Sequence, residues 1–199
     1  MLISKKWLSQ YMDVSDLSIE EIAKRITDAG FEVEAIEYMA QGTNLIIGQV
    51  ETCQDHPDSD HLHVTTVNIG DGVLDIVCGA PNVAAGQKVI VAQVGAKLPD
   101  GEIKAVQIRG QVSNGMICSL LELGVDPHAL SDQQKEGIEV LPSDAPIGET
   151  KVLEYLGLDD EIMDIGLTPN RNDCMAAFNM ALEVGSVLDR EVTLPNYQG

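Results

Sequence analysis

At 199 residues the chain is long enough for one large domain or two small ones, each with its own core. Its 12 basic and 32 acidic residues leave a net charge of −20, so the long-range field repels phosphate and any contact with nucleic acid has to be local. Only 4% of the residues are aromatic, which makes the cores aliphatic, and no apolar run approaches the roughly 20 residues that span a bilayer.

Taken in order, Ser4 caps a first short helix in which Trp7, Leu8 and Tyr11 share one apolar face. The start Met1-Leu2-Ile3-Ser4-Lys5-Lys6 leads into that helix rather than into a signal peptide. Ser18 followed by Glu21 is a capping-box pattern, and Ile19, Ile22, Ala23 and Ile26 carry a helix face towards Gly30, which stands where a C-cap glycine would. Phe31, Val33 and Ala35 then alternate with Glu32, Glu34 and Glu37, which predicts a strand with one wet side. Gln41-Gly42-Thr43-Asn44 marks a linker.

From 44 to 119 the pattern changes to short apolar or alternating runs at 45–50, 62–69, 74–78, 88–94, 103–108 and 116–118. Turn chemistry cuts them apart at His56-Pro57-Asp58, Gly70-Asp71-Gly72, Gly79-Ala80-Pro81-Asn82, Gly95, Pro99-Asp100-Gly101 and Asn114-Gly115. Runs this short read as strands, and five or six of them with little helix between predict a small closed barrel of the OB type. The stretch 141–148, with two prolines, marks the way out. Val152, Leu153, Leu156 and Leu158 predict a short helix ending near Gly157, and 161–167 a second alternating strand. After Asn172 a long helix is expected, with Met175, Phe178, Leu182 and Val187 or Leu188 on its apolar side. Thr168 to Cys174 is expected to supply a proline-stiffened entry and an Asn or Asp cap for it, leaving Arg171 available for a subunit or domain contact. Pro195-Asn196-Tyr197-Gln198-Gly199 reads as a linker into further protein.

Pairing the strand near Val33 with the one near Ile165 makes one α+β domain from two separated pieces, 1–39 plus 151–199, with the OB-type β-barrel inserted at 40–150. That inserted stretch is the most acidic part, at −10.

The chemistry-bearing residues are sparse. Cys53 with His56, His61 and His63 offers zinc-ligand types, but the same string describes a turn entering a strand, and that reading is preferred, with no metal assigned. No Ser-His-Asp, Cys-His or phosphate-loop arrangement is present, so no catalytic residue is assigned. Cys53, Cys78, Cys118 and Cys174 are widely spaced in apolar or motif surroundings, which points to reduced thiols and a cytoplasmic location. The basic residues available in the barrel are Lys88, Lys97, Lys104, Arg109 and Lys135, and no Trp, Tyr or Phe lies between 44 and 150, so strong binding by base stacking is not expected. Asn114-Gly115 allows a tight turn with positive φ whose amides could meet phosphate, and a plain hairpin accounts for the string as well. RNA contact is assigned to Lys97, Lys104, Arg109, Ser113, Asn114 and Met116.

Three strings carry a resemblance: His56-Pro57-Asp58-Ser59-Asp60 with Leu62-His63-Val64, Ile76-Val77-Cys78-Gly79-Ala80-Pro81-Asn82-Val83, and Ser113-Asn114-Gly115-Met116-Ile117-Cys118-Ser119. Together they resemble the tRNA-binding OB domain shared by several synthetase-associated proteins. The Trp7-Leu8 helix, Ala29-Gly30-Phe31-Glu32-Val33-Glu34 and Leu167-Thr168-Pro169-Asn170-Arg171-Asn172-Asp173-Cys174 are similar to the N-terminal region of the bacterial phenylalanyl-tRNA synthetase beta subunit.

The resemblance implies a non-catalytic module of a tRNA ligase, giving scaffold and an auxiliary tRNA contact within an alpha-beta assembly. It further implies that editing, catalytic-like and anticodon-recognising domains follow in the whole subunit. Aminoacylation with ATP and magnesium would belong to the alpha partner, and no cofactor to this stretch. This chain has His61 and His63 where such domains often carry Lys or Arg, and Ala176 and Asn179 where the family usually has serine and glycine. Two other readings share the features: a free-standing tRNA-binding protein of the same barrel family, and an architectural module without RNA affinity.

Overall fold

The computed structural model describes residues 1–195. In chain order it contains β1 (Leu2–Ser4), α1 (Lys5–Leu8), α2 (Ile19–Asp28), β2 (Glu32–Tyr38), β3 (Leu45–Asp55), β4 (His63–Asn68) and β5 (Val73–Cys78). There follow β6 (Lys88–Gln93), β7 (Lys97–Leu98), β8 (Gly101–Glu102), β9 (Val106–Ile108), β10 (Gln111–Ser113) and β11 (Gly115–Ile117). The rest are α3 (Asp132–Glu136), β12 (Val140–Leu141), α4 (Val152–Leu156), β13 (Glu161–Gly166) and α5 (Ala177–Leu188), with 3₁₀ turns at Pro127–Ala129 and Pro169–Met175. Residues 196–199 of the expected terminal linker lie outside the described residues.

The chain divides into two compact units, one formed by Met1–Met39 with the chain from Asp160 onward, the other by Ala40–Asp159. In the first, β2, β13 and β1 form an antiparallel sheet in the order β1-β13-β2, with Val33 opposite Ile165 and a register shift between Asp164 and Ile165. The helices close one core with it. Ser4 Oγ accepts the Trp7 amide at 3.0 Å and Ser18 Oγ the Glu21 amide at 3.2 Å, starting α1 and α2. Ile19, Ile22, Ala23 and Ile26 of α2 are buried with Leu8, Met163, Ile165, Met180 and Val184.

The last helix differs from expectation in two ways. Leu188 is buried and Phe178 and Val187 pack against the same core, as expected, but the rest of the buried stripe is Met180, Ala181, Val184 and Gly185, whereas Met175 and Leu182 are 68% and 44% exposed. Its N-cap is Ala176 with no side-chain bond, and Asn179 instead donates to the Asp173 carbonyl at 2.7 Å. Apolar residues are dense enough along α5 to fit two stripes, and the covered one carries the small residues Ala181 and Gly185, with Gly185 close against Met12, Arg190 and Val192.

In the second unit the barrel sheet runs β11-β6-β3-β4-β5, with β12 also on β6. The first half of β3, over 45–50, and β6 read as continuous apolar runs because both faces are covered there, while the second half of β3 is largely exposed. Ile46, Val50, Val89 and Val91 join the barrel interior with Val67, Ile76 and Ile117, while Leu45, Ile47, Ile90 and Ala92 join a second cluster outside it. That outer cluster holds Leu120, Leu123, Leu130, Leu141 and Val152, with Leu153 and Leu156 packed on it, so α4 belongs to the barrel unit and the chain leaves that unit at Asp160.

The expected strand over 103–108 is narrower. Ile103 pairs instead with Gly95 and Ala96, and β9 begins at Val106. The tight hairpin stands at Arg109 (φ 47°) and Gly110 (φ 84°), between β9 and β10, rather than at Asn114-Gly115.

Candidate nucleic-acid interface

The barrel closes between β5 and the junction of β10 with β11 through one side chain and one backbone bond. Ser113 Oγ accepts the Val77 amide at 3.1 Å and donates to the Gly115 carbonyl at 3.1 Å, and beside it the Asn114 amide donates to the Asp75 carbonyl at 2.8 Å. Gly115 follows with φ 156°, and a Cβ there would stand 2.9 Å from the Ala92 carbonyl oxygen. The Ser113-Asn114-Gly115 string is thus explained by closure: Ser113 is 2% exposed, and its hydroxyl is spent inside the protein.

Next to this seam a groove of about 330 Å³ opens. Its lining brings together residues 77–80 at the end of β5, Met116, Ile117 and Ser119 from β11 onward, Glu122, and residues 135–138 at the end of α3. Two of the strings singled out in sequence therefore meet in one place. A smaller groove of about 200 Å³, lined by Leu98, residues 100–103, Met116 and Glu122, shares Met116 and Glu122 with it.

The far wall is a strap over 131–138. Ser131 and Gln134 form a reciprocal capping box that starts α3. Asn82 anchors its end: Nδ2 donates to the Ile138 carbonyl at 2.9 Å and Oδ1 accepts the Ile138 amide at 3.0 Å. The fit is close, since a Cβ on Gly137 would lie 2.2 Å from Asn82 Oδ1. Lys135 is the cation on this wall, exposed and 3.9 Å from Asp132, a separation and exposure that leave its charge available. Lys135 is one of the basic residues of the inserted stretch without an assigned RNA contact above, and the Ser131–Gln134 pair is the local signal that places it on a helix.

Of the other assigned residues, Lys97 and Lys104 are exposed on and after the β7–β8 hairpin, and the Lys97 amide donates to Thr43 Oγ1 at 2.9 Å. Arg109 is exposed at the β9–β10 turn, where its guanidinium donates to the Asp58 carbonyl at 2.6 Å. His56 is 3% exposed beneath that turn. Its Nδ1 accepts the Asp58 amide at 3.1 Å, and its Nε2 lies 3.2 Å from the Ile108 carbonyl oxygen. Both ring nitrogens are thereby engaged in holding the turn, which takes His56 out of any ligand set with Cys53.

On the outer side of β3, β4 and β5, Thr52 and Thr66 hydroxyls pair at 2.7 Å and Gln54 stands opposite Val64. The three strands place no Trp, Tyr, Phe, lysine or arginine of their own on that surface, and Lys88 of β6 reaches its border, where its Nζ donates to Gln49 Oε1 at 3.4 Å. Burial pushes the Cys78 thiol up, and the Cys118 thiol up to about 12, so the thiols by the groove stay protonated at neutral pH.

One group of metal-ligand types gathers among the described residues: Asp173, Cys174 and Glu183. The Arg171 guanidinium already fills it, 2.8 Å from Glu183, 3.4 Å from Asp173 and 2.9 Å from Cys174 Sγ, and it stacks 4.5 Å from the Phe31 ring centroid. These residues do not fit magnesium, and Arg171 is committed to its own unit rather than standing free for a partner.

The family described as "Putative tRNA binding domain" matches residues 45–150. The chain is 48% identical over 198 residues to the phenylalanine–tRNA ligase beta subunit of Geobacillus kaustophilus and 47% identical over 198 residues to that of Oceanobacillus iheyensis; each match covers 98% of this chain and 24% of the relative. The matched part is N-terminal in those subunits, so the chain spans about a quarter of the length of the curated relatives. A MetRS related protein from Pyrococcus horikoshii aligns at 20% identity and a TM-score of 0.39 over 52% of this chain and 84% of that one, which adds nothing to the family assignment.

Proposed function

The chain belongs to the tRNA-binding-domain family, and from that membership we propose that it is a non-catalytic module of phenylalanine–tRNA ligase whose barrel makes an auxiliary contact with tRNA. The observation that carries this reading is the groove in which residues 77–80, Met116 and Lys135 converge. A thioether and a strand-end backbone there offer an apolar seat for an unpaired base, and the ammonium of Lys135 stands on the wall for a phosphate. Lys97, Lys104 and Arg109 add exposed charge on neighbouring hairpins.

Ser113 and Asn114 serve the site through closure, by fixing β11 and so the position of Met116. The charging reaction, its ATP and magnesium, and an alpha subunit as partner are assigned to the whole assembly, and no residue described above is given to them. A net charge of −20 opposes tRNA everywhere else on the chain, so the contact is weak and short-ranged.

The test is a tRNA titration of the isotopically labelled chain at low salt. Amides of Gly79, Met116 and Lys135 are expected to shift. Shifts confined to Thr52, Gln54, Val64 and Thr66 would place the contact on the opposite surface and refute this site, and the absence of any shift would favour a purely architectural module.

A further inference from the structure

The first unit carries an open strand edge with a groove beside it. β2 is the outer strand of the order β1-β13-β2, so one of its edges is unpaired. Which groups lie on that edge follows from the register. Met39 donates to the Asp160 carbonyl at 3.1 Å, and antiparallel hydrogen-bonded pairs alternate along a ladder, so Glu37 and Ala35 face β13 while Tyr38 and Ile36 turn their amides and carbonyls outward. At the far end, past the register shift, Thr27 Oγ1 takes the Val33 amide at 3.3 Å. Between these points a groove of about 390 Å³ runs along the edge, with Ala23, Lys24, Thr27 and Asp28 of α2 on one side and residues 33–36 of β2 on the other.

The charge on β2 itself is of one sign, while Lys24 and Asp28 line the groove beside it. Glu32, Glu34 and Glu37 are exposed along β2, and among the described residues none of them stands in an ion pair. Lys24 faces Asp28 of its own helix at 3.8 Å. Three glutamates on one strand oppose pairing with a second copy of the same strand, because like charges would stand close together. The same glutamates favour a strand of opposite charge.

We propose that the β2 edge takes an extended basic peptide segment as a fourth strand of this sheet. The peptide's backbone would pair with Ile36 and Tyr38, its lysines or arginines would meet the β2 glutamates, and small apolar side chains would enter the groove against Ala23 and Val33. The surface is distinct from the barrel groove, and its occupant is a polypeptide rather than RNA.

The test uses the labelled 199-residue chain and a seven-residue peptide of alternating lysine and valine with blocked ends, at low salt. The Ile36 and Tyr38 amides are expected to shift and to exchange more slowly, and the double variant Glu34→Lys with Glu37→Lys to weaken binding by about tenfold. The same peptide N-methylated at every amide keeps its charge but cannot extend a sheet, and it should leave those two amides unmoved in the unaltered chain. Equal binding of the N-methylated peptide, shifts that avoid β2, or no binding at low salt would each overturn the proposal.

Discussion

Ser113 shows how much can hang on one hydroxyl. Replacing it with alanine leaves the Val77 amide without its acceptor inside the barrel wall, a loss of about 1–3 kcal/mol that a urea midpoint would read. Asn82 and Gly137 form a second such point. Asn82→Ala removes both bonds to Ile138 and should cost about 1–3 kcal/mol while speeding hydrogen exchange over 135–138. Gly137→Ala drives a Cβ into Asn82 and should do similar damage, yet far less in the Asn82→Ala background, so a double-mutant cycle is expected to be strongly non-additive.

At alkaline pH the residue to watch is Tyr38, whose hydroxyl donates to Glu20 and whose pKa that bond raises to about 12. A tyrosine whose folded pKa lies above its unfolded value contributes stability that is present below about pH 10 and is lost as pH rises through about 12. The midpoint of urea unfolding should therefore fall across that window, and Tyr38→Phe should flatten the fall.

Among the elements, α5 gives the cleanest contrast. Met180→Ala empties a fully buried position and should cost about 2–5 kcal/mol, while Leu182→Ser touches an exposed one and should stay within about 0.5 kcal/mol. The reverse ordering would restore the apolar stripe that spacing alone suggested. α2 was legible because its apolar positions leave a single stripe and Ser18 and Gly30 mark its ends. α5 was not, since apolar residues occupy several of its sides and only tertiary packing decides which is covered. The hairpin at Arg109-Gly110 is hidden for a related reason: arginine seldom adopts positive φ, so the turn signal there rests on Gly110 alone, whereas Asn114-Gly115 carries the stronger turn dipeptide. Lys135 escaped because α3 buries none of its own residues and so has no apolar period to detect.

On the scale of the whole molecule, the barrel and the pairing of β2 with β13 across it were readable from alternation and turn spacing, since both are patterns of period two with punctuation. The convergence of residues 77–80, Met116 and Lys135 was not, because it depends on closure by Ser113 and on the Asn82 anchor, which join residues more than thirty positions apart.

The central claim, that a strongly acidic chain still meets tRNA through a few local cations, is tested most directly by the salt dependence of tRNA affinity. With Lys97, Lys104, Arg109 and Lys135 as the phosphate contacts, log K should fall with log salt with a slope no steeper than about −4, and Lys135→Ala should make it shallower by about one. Affinity that is undetectable at the lowest salt, or a slope indifferent to all four substitutions together, would contradict it.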